Sequence, residues 1–103
     1  MAKVDLSIIV PARNEMFLTR TVQDLLAHMK GNTEIIVGCD GNWPDPPIED
    51  NERVCIIYHS KSIGQRAITN EAAMLSRAKY LMKVDAHCNF DEGFDVKMMA
   101  DIG

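Results

Sequence analysis

An α/β fold with a largely parallel sheet and flanking helices is what this sequence predicts, and three observations predict it. Four short β-branched and apolar runs alternate with two longer stretches that carry a helical apolar stripe. The runs are apolar at nearly every position, as strands covered on both faces are. Three of the four open into polar residues at their carboxyl ends, and in a parallel sheet such ends gather on one edge. The 103 residues contain no internal repeat, low-complexity stretch or interdomain linker, and read as one domain or part of one.

The first strand is expected from Val4 to Val10, where Pro11, lacking an N–H, should stop it. Met16 to Lys30 places Phe17, Leu18, Val22, Leu25, Leu26 and Met29 on one helical face, and Gly31 closes that helix. Glu34 to Cys39 is a second buried strand ending at Asp40-Gly41-Asn42. The prolines of Trp43-Pro44-Asp45-Pro46-Pro47 then force a loop. Arg53 to Tyr58 reads as the third strand. A second helix follows from about Gly64 to Ala78, with Ala67, Ile68, Ala72, Leu75 and Ala78 as its apolar face. Tyr80 to Val84 is the fourth strand, and a short helix is expected from Asp95 to Ile102. Right-handed crossovers should place helices on both faces of the sheet.

Composition narrows the partners. The formal net charge is −4 and the 11 Lys and Arg are scattered, which argues against nucleic acid. An acidic protein that binds phosphates needs a metal ion or backbone amides to do so. The apolar run from Leu6 to Val10 is too short for a membrane span, and a cytoplasmic protein is expected. Cys39, Cys55 and Cys88 include no C-x-x-C spacing, so they are read as buried or half-buried thiols in a reducing compartment. His28 and His59 show no partner at useful spacing and read as surface or structural residues.

The chemistry concentrates at Asp85-Ala86-His87. In extended chain an i, i+2 pair points the same way, so a hard oxygen ligand and a nitrogen ligand can share one divalent cation, and that cation can hold a diphosphate. Taken alone, Asp-x-His is more often a strand-end turn. Asp40 ends the second strand as a carboxylate able to accept from a base or ribose, or from local backbone N–H groups. Pro11-Ala12-Arg13-Asn14-Glu15 follows the first strand, where backbone amides and Arg13 can meet a nucleotide; Arg13 can equally pair with Glu15, and Asn14 can cap the first helix. Neither G-x-G-x-x-G nor G-x-x-x-x-G-K-[ST] occurs, which argues against a dinucleotide fold or a P-loop enzyme.

Ser7-Ile8-Ile9-Val10-Pro11-Ala12-Arg13-Asn14-Glu15, then Glu34-Ile35-Ile36-Val37 leading to Asp40-Gly41-Asn42, then Gly64 to Asn70, and finally Val84-Asp85-Ala86-His87, resemble the opening half of a family 2 type glycosyltransferase with the GT-A fold. The order and spacing agree over nearly the whole chain. The D-x-H variant with Cys88 is most similar to the polypeptide N-acetylgalactosaminyltransferases. The resemblance implies that residues 1–103 are the donor-nucleotide-binding portion of such a domain, without its acceptor-binding half. It implies that Pro11, Ala12, Arg13, Asn14, Glu15, Asp40, Arg66 and Asp85 bind a nucleotide-sugar, and that Asp85 and His87 hold Mn²⁺ or Mg²⁺. Arg66, Ala67 and Asn70 occupy the matching helix positions, Arg66 near the diphosphate and Asn70 in a structural role. Cys39-Asp40 stands where many members have two consecutive acids, and Ala72 and Ala78 where Gly is common. No residue matches the base that activates an acceptor.

Two functional readings follow. One is metal-dependent transfer of a sugar from a nucleotide-sugar, UDP-linked by resemblance, to an unidentified acceptor, with catalysis needing further sequence. The other is a noncatalytic nucleotide-binding or interaction module derived from a shortened glycosyltransferase. Open apolar surface on a half-sheet also predicts homo-oligomers through an exposed strand edge. A nucleotidyltransferase would want a Gly-rich, basic first loop, and Pro11 to Glu15 contains no glycine.

Overall fold

A computed structural model describes residues 4–12, 18–41, 48, 51–84, 93, 95–96 and 100. Its elements run β1 (Leu6–Ala12), α1 (Leu18–His28), β2 (Thr33–Asp40), β3 (Val54–His59), α2 (Gln65–Leu75) and β4 (Tyr80–Lys83). All four strands are parallel, in the order β3-β2-β1-β4. The α/β expectation is met. The chain steps outward from β1 to β2 to β3, then returns across the sheet to place β4 on the other side of β1. Because parallel crossovers are right-handed, reversing the direction of travel moves the connecting helix to the opposite face.

Burial follows that geometry residue by residue. Leu6, Ile8, Val10 and Ala12 of β1 join Ile35, Val37 and Cys39 of β2 under Leu18, Val22 and Leu25 of α1 and Met29 just beyond it. The alternate positions Ile9 and Ile36, with Ile57 of β3, pack under Ile68 and Ala72 of α2. Strands whose two faces are both covered must be apolar throughout, which is why β1 and β2 lack polar alternation. The α2 face is the thinner one. Beside its apolar cluster runs a polar row in which Ser76 Oγ donates to Ser7 Oγ at 2.6 Å and Ser7 Oγ donates to Glu34 Oε1 at 2.6 Å.

Pro11 does not end β1, contrary to the sequence expectation; the strand runs on to Ala12, with Pro11 opposite Gly38 of β2. The reason is directional. Ile9 turns its carbonyl toward β4, accepting from Val84 N at 2.9 Å, and two residues on the nitrogen of Pro11 faces the same side. There β4 has already ended at Lys83, so the missing N–H costs no ladder bond.

α2 stops a turn earlier than its apolar pattern suggests. Ser76 leaves the helix at φ −71°, ψ 140°, while its N–H still reaches the carbonyls of Ala72 and Ala73, and its hydroxyl turns to Ser7 and accepts from Ala78 N. Leu75 is consequently 56% exposed, and only Ile68 and Ala72 of the expected face are buried.

Farther along the chain, Gly93 N donates to His28 O at 2.8 Å. Asp95, fully buried, accepts from Lys30 N at 2.9 Å, Gly31 N at 2.8 Å and Thr33 Oγ1 at 2.6 Å. Arg53 braces the same corner, donating to Thr33 O and Gly31 O. Asp95 and Val96 are helical, as expected for the start of the last helix. Burial alone would raise the Asp95 carboxyl, but the hydrogen bonds from Lys30, Thr33, Gly31 and Val96 outweigh it and hold its pKa below the usual range.

Candidate functional site

Ligands of an open α/β sheet bind outside the carboxyl ends of the strands, at the point where the strand order reverses. Here that point lies between β1 and β4. It is where the chain leaves β1 after Ala12 and β4 after Lys83, so both polar segments singled out in the sequence depart from the two strands that flank the crevice. Pro11 and Ala12 form the last step of β1, and Ala12 is buried against the α1 side. Arg13, Asn14, Glu15, Asp85 and His87 lie outside the described residues.

Asp40 ends β2, the neighbour of β1, and is only 3% exposed. Its Oδ1 accepts from Ile63 N at 2.6 Å; its Oδ2 accepts from Ser62 Oγ at 2.9 Å and Gly64 N at 3.0 Å. Sequence reasoning placed backbone N–H groups around this carboxylate as local partners; the structure draws them from the segment before α2, 22 to 24 residues on. Gly64, at φ 93°, ψ 151°, occupies a conformation open only to glycine, and this turns its N–H back to Asp40 at the head of α2. The carboxylate therefore fixes the entry to α2 at the crevice edge of the sheet.

His28 and His59 have partners that spacing did not reveal. His59, at the carboxyl end of β3, meets Glu71 of α2 with Nε2 to Oε2 at 2.6 Å; since a carboxylate only accepts, the ring carries its proton on Nε2. His28 Nδ1 donates to Asp24 O at 2.7 Å, with Asp24 Oδ1 at 3.3 Å, one helical turn back. Of the thiols, Cys39 is buried and its pKa is pushed up to about 11 by burial, whereas Cys55 is exposed on the β3 edge rather than buried.

A cavity of about 280 Å³ opens beside the crevice, lined by Gln65, Arg66, Thr69 and Asn70 from the first turns of α2 and by Lys83 at the end of β4. Arg66 falls where the sequence placed a diphosphate contact. Asn70, read as structural, also lines this cavity, and Lys83 was missed. The only sequence signal for Lys83 is a cation two residues before Asp85, in register with it along an extended chain. Among the described residues no group of three or more His, Cys, Asp or Glu is placed to hold a metal ion. Nor is any helix among them long and apolar enough to cross a membrane.

A parallel sheet whose strand order reverses between β1 and β4, with a cationic cavity beside that point, defines a doubly wound α/β protein. A family model described as glycosyl transferase family 2 matches residues 7–102, and the chain belongs to that family. No curated protein matches the chain. Among solved structures, S. aureus TarS (residues 1–349) is similar with a TM-score of 0.75 at 15% identity, a likeness of fold. The match covers 95% of this chain and 32% of TarS, so the chain spans about a third of that structure. The sheet is thus part of a GT-A fold.

Proposed function

We propose that this chain is the donor-binding part of a glycosyltransferase that transfers a sugar from a nucleotide-sugar, UDP-linked, to an acceptor, in a metal-dependent reaction. The observation that carries the reading is a coincidence of pattern and topology. In a chain matching glycosyl transferase family 2 over residues 7–102, the switch point falls between the two strands that lead into Pro11–Glu15 and Asp85–His87. In this reading Pro11, Ala12, Arg13, Asn14 and Glu15 floor the nucleotide pocket, Arg66 meets the diphosphate, and Asp40 acts through the 62–64 segment it fixes as well as at the base or ribose. Asp85 and His87 hold Mn²⁺ or Mg²⁺. The carboxylate suits either ion, and the imidazole nitrogen is a better ligand for Mn²⁺ than for the oxygen-preferring Mg²⁺. Bound there, the cation would offset the negative charge that builds on the departing nucleoside diphosphate.

The D-x-H form supports a likeness to the polypeptide N-acetylgalactosaminyltransferases in how the metal is held. The exposed Leu81 on the edge strand β4 and the exposed Leu75 at the end of α2 support association of copies through that edge. Calorimetric titration with UDP and GDP, each with and without Mn²⁺, on the wild-type chain and on Asp85→Ala, tests the donor reading. Metal-dependent binding of UDP that Asp85→Ala abolishes is expected. A folded chain that binds neither nucleotide would sink it. A module that only binds would take UDP with Mn²⁺ and show no hydrolysis or transfer of a UDP-sugar.

A further inference from the structure

Charge is divided unevenly between the parts of this fold. Residues 61–83, which hold the approach to α2, α2 itself and β4, contain five of the 11 Lys and Arg but one of the 15 Asp and Glu. They carry a formal charge of +4 in a chain of −4, so the other residues carry −8. The cations are spread along the sequence; the near absence of acids makes this stretch basic. Lys61, Arg66, Arg77, Lys79 and Lys83 are all exposed. The one acid, Glu71, is turned to His59 at 2.6 Å, and Glu34, on the same side of the sheet, accepts from Ser7 Oγ.

The same stretch exposes apolar side chains. Of the six large hydrophobic residues left exposed among the described residues, four fall within it: Ile63, Met74, Leu75 and Leu81, with Met74 at 86%. α1 exposes none. On α2, Arg66, Asn70 and Met74 follow at i, i+4 and i+8, a stripe opposite the buried Ile68 and Ala72. On β4, Leu81 and Lys83 stand opposite Ser7 and Ile9 and so share the α2 side of the sheet. Cations and apolar side chains therefore occupy one surface.

That mixture selects among partners. A formal +4 calls for an anionic one, and a second copy of this surface would bring the same charge and be repelled. Nucleic acid offers phosphates but nothing to receive Met74 or Leu81. Protein interfaces gather apolar side chains into a core depleted of charge and keep charges at the rim, whereas here the two kinds are interspersed. A bilayer containing anionic lipid supplies both at once, headgroup charge for the cations and the acyl boundary just beneath for the apolar tips. Long Lys and Arg stems let the charge stay among the headgroups while a neighbouring apolar side chain enters.

We propose that the α2–β4 surface docks this protein on a membrane containing anionic lipid, with Met74, Leu75 and Leu81 entering the headgroup boundary and Arg77, Lys79 and Lys83 meeting lipid phosphates. The attachment is peripheral, made by side chains on the outside of the fold. It brings the head of α2, and with it the crevice edge, to the membrane surface. It does not depend on the donor reading.

The test is sedimentation of the full chain with vesicles of phosphatidylcholine alone and of equal parts phosphatidylcholine and phosphatidylglycerol, without nucleotide or metal. Binding to the mixed vesicles only is expected, weakened by salt and by about fivefold for each of Arg77→Gln and Lys79→Gln. Met74→Ser with Leu75→Ser should weaken it about tenfold, and Arg20→Gln, an exposed cation of α1, should leave it unchanged. No binding to mixed vesicles, or equal loss from Arg20→Gln and Arg77→Gln, would overturn the proposal. So would loss through the charge variants alone, since that is attraction to any anion. Dimers in light scattering that Met74→Ser with Leu75→Ser disperses, with vesicle binding unchanged, would give the surface to a second copy and overturn it too. UDP binding, found or not, bears on the donor reading and leaves these outcomes as they are.

Discussion

Replacing Gly38 by Ala separates packing from backbone preference at the contact between β2 and α2. A methyl at Gly38 would sit 2.7 Å from Ile68 Cγ1 and 3.5 Å from Cγ2. Carbon atoms rest at about 3.5–4.0 Å, so the first pair must part by roughly 0.8 Å or more. Ile68 is 1% exposed and is enclosed by Ile9, Ile36, Ile57 and Ala72, and its branched side chain has few rotamers on a helix. The strain is therefore relieved by moving α2. Overpacking of this kind costs about 1–3 kcal/mol, partly offset by the roughly 0.5–1 kcal/mol by which Ala outperforms Gly in a strand. A net loss of about 1–2 kcal/mol is expected, lowering Tm by about 4–8 °C per kcal/mol in a domain of this size. Equilibrium urea unfolding of Gly38→Ala, Ile68→Ala and the double variant measures it. The loss should vanish or reverse in the Ile68→Ala background, because the clashing atoms are gone. Gly38→Ala as stable as wild type, or equally destabilising with and without Ile68, would refute the argument.

Three further outcomes follow from the same structure. Asp95→Asn should cost about 2–3 kcal/mol, because one side of the amide presents a donor to donors. The folded Asp95 carboxyl is held below its ordinary pKa, so its contribution is complete above the unfolded value of about 3.9 and is lost as pH falls through the lowered folded value; acid unfolding curves of wild type and Asp95→Asn should converge at the acid end. In a Cys88→Ser background, a maleimide should label Cys55 in the folded chain and reach Cys39 only on unfolding, since burial holds that thiol protonated with a pKa of about 11. Asp40→Asn should speed hydrogen exchange at the amides of Ile63 and Gly64 while leaving the β1–β2 ladder protected, because its acceptor capacity, not the sheet, holds that segment.

The sheet was legible because its strands are buried on both faces and so carry an unbroken apolar signature that length and β-branching separate from helix. What periodicity could not carry was set by neighbours. Pro11 could remain in β1 because β4 is two residues too short to need its N–H, and a strand's partner length is invisible along one sequence. The end of α2 at Ser76 was hidden for a similar reason. Leu75 and Ala78 continue the helical stripe, but Ser76 turns its hydroxyl to Ser7, 69 residues earlier. The pairing of His59 with Glu71 joins a strand end to a helix across 12 residues, a separation with no regular period. At the site, Pro11, Ala12, Asp40 and Arg66 were found at the crevice edge or in the cavity, because motif spacing records strand ends well. Lys83 was missed since a lysine within a strand carries no pattern of its own. Its place in the cavity emerges only when α2 is laid beside it.

The two helices are secured by different physics, and this bears on where a ligand acts. α1 packs Leu18, Val22 and Leu25 against the sheet and also buries Thr19 and Thr21; α2 buries only Ile68 and Ala72, leaving Met74 86% exposed and Leu75 56% exposed. What fixes α2 beyond that contact is polar: Ser76 to Ser7 at its end, Glu71 to His59 along its side, and the grip of Asp40 on residues 62–64 at its head. Hydrogen bonds contribute about 0.5–1.5 kcal/mol each, and about 1.5–3 where one partner is charged, as at Asp40. α2 is therefore held to the sheet largely by polar contacts and α1 largely by apolar burial. Four of the five residues lining the cavity, Gln65, Arg66, Thr69 and Asn70, sit on α2, and the fifth, Lys83, ends β4. A ligand held between the head of α2 and the end of β4 would stabilise only the form in which both are in place, and so would strengthen the hold of α2 on the sheet.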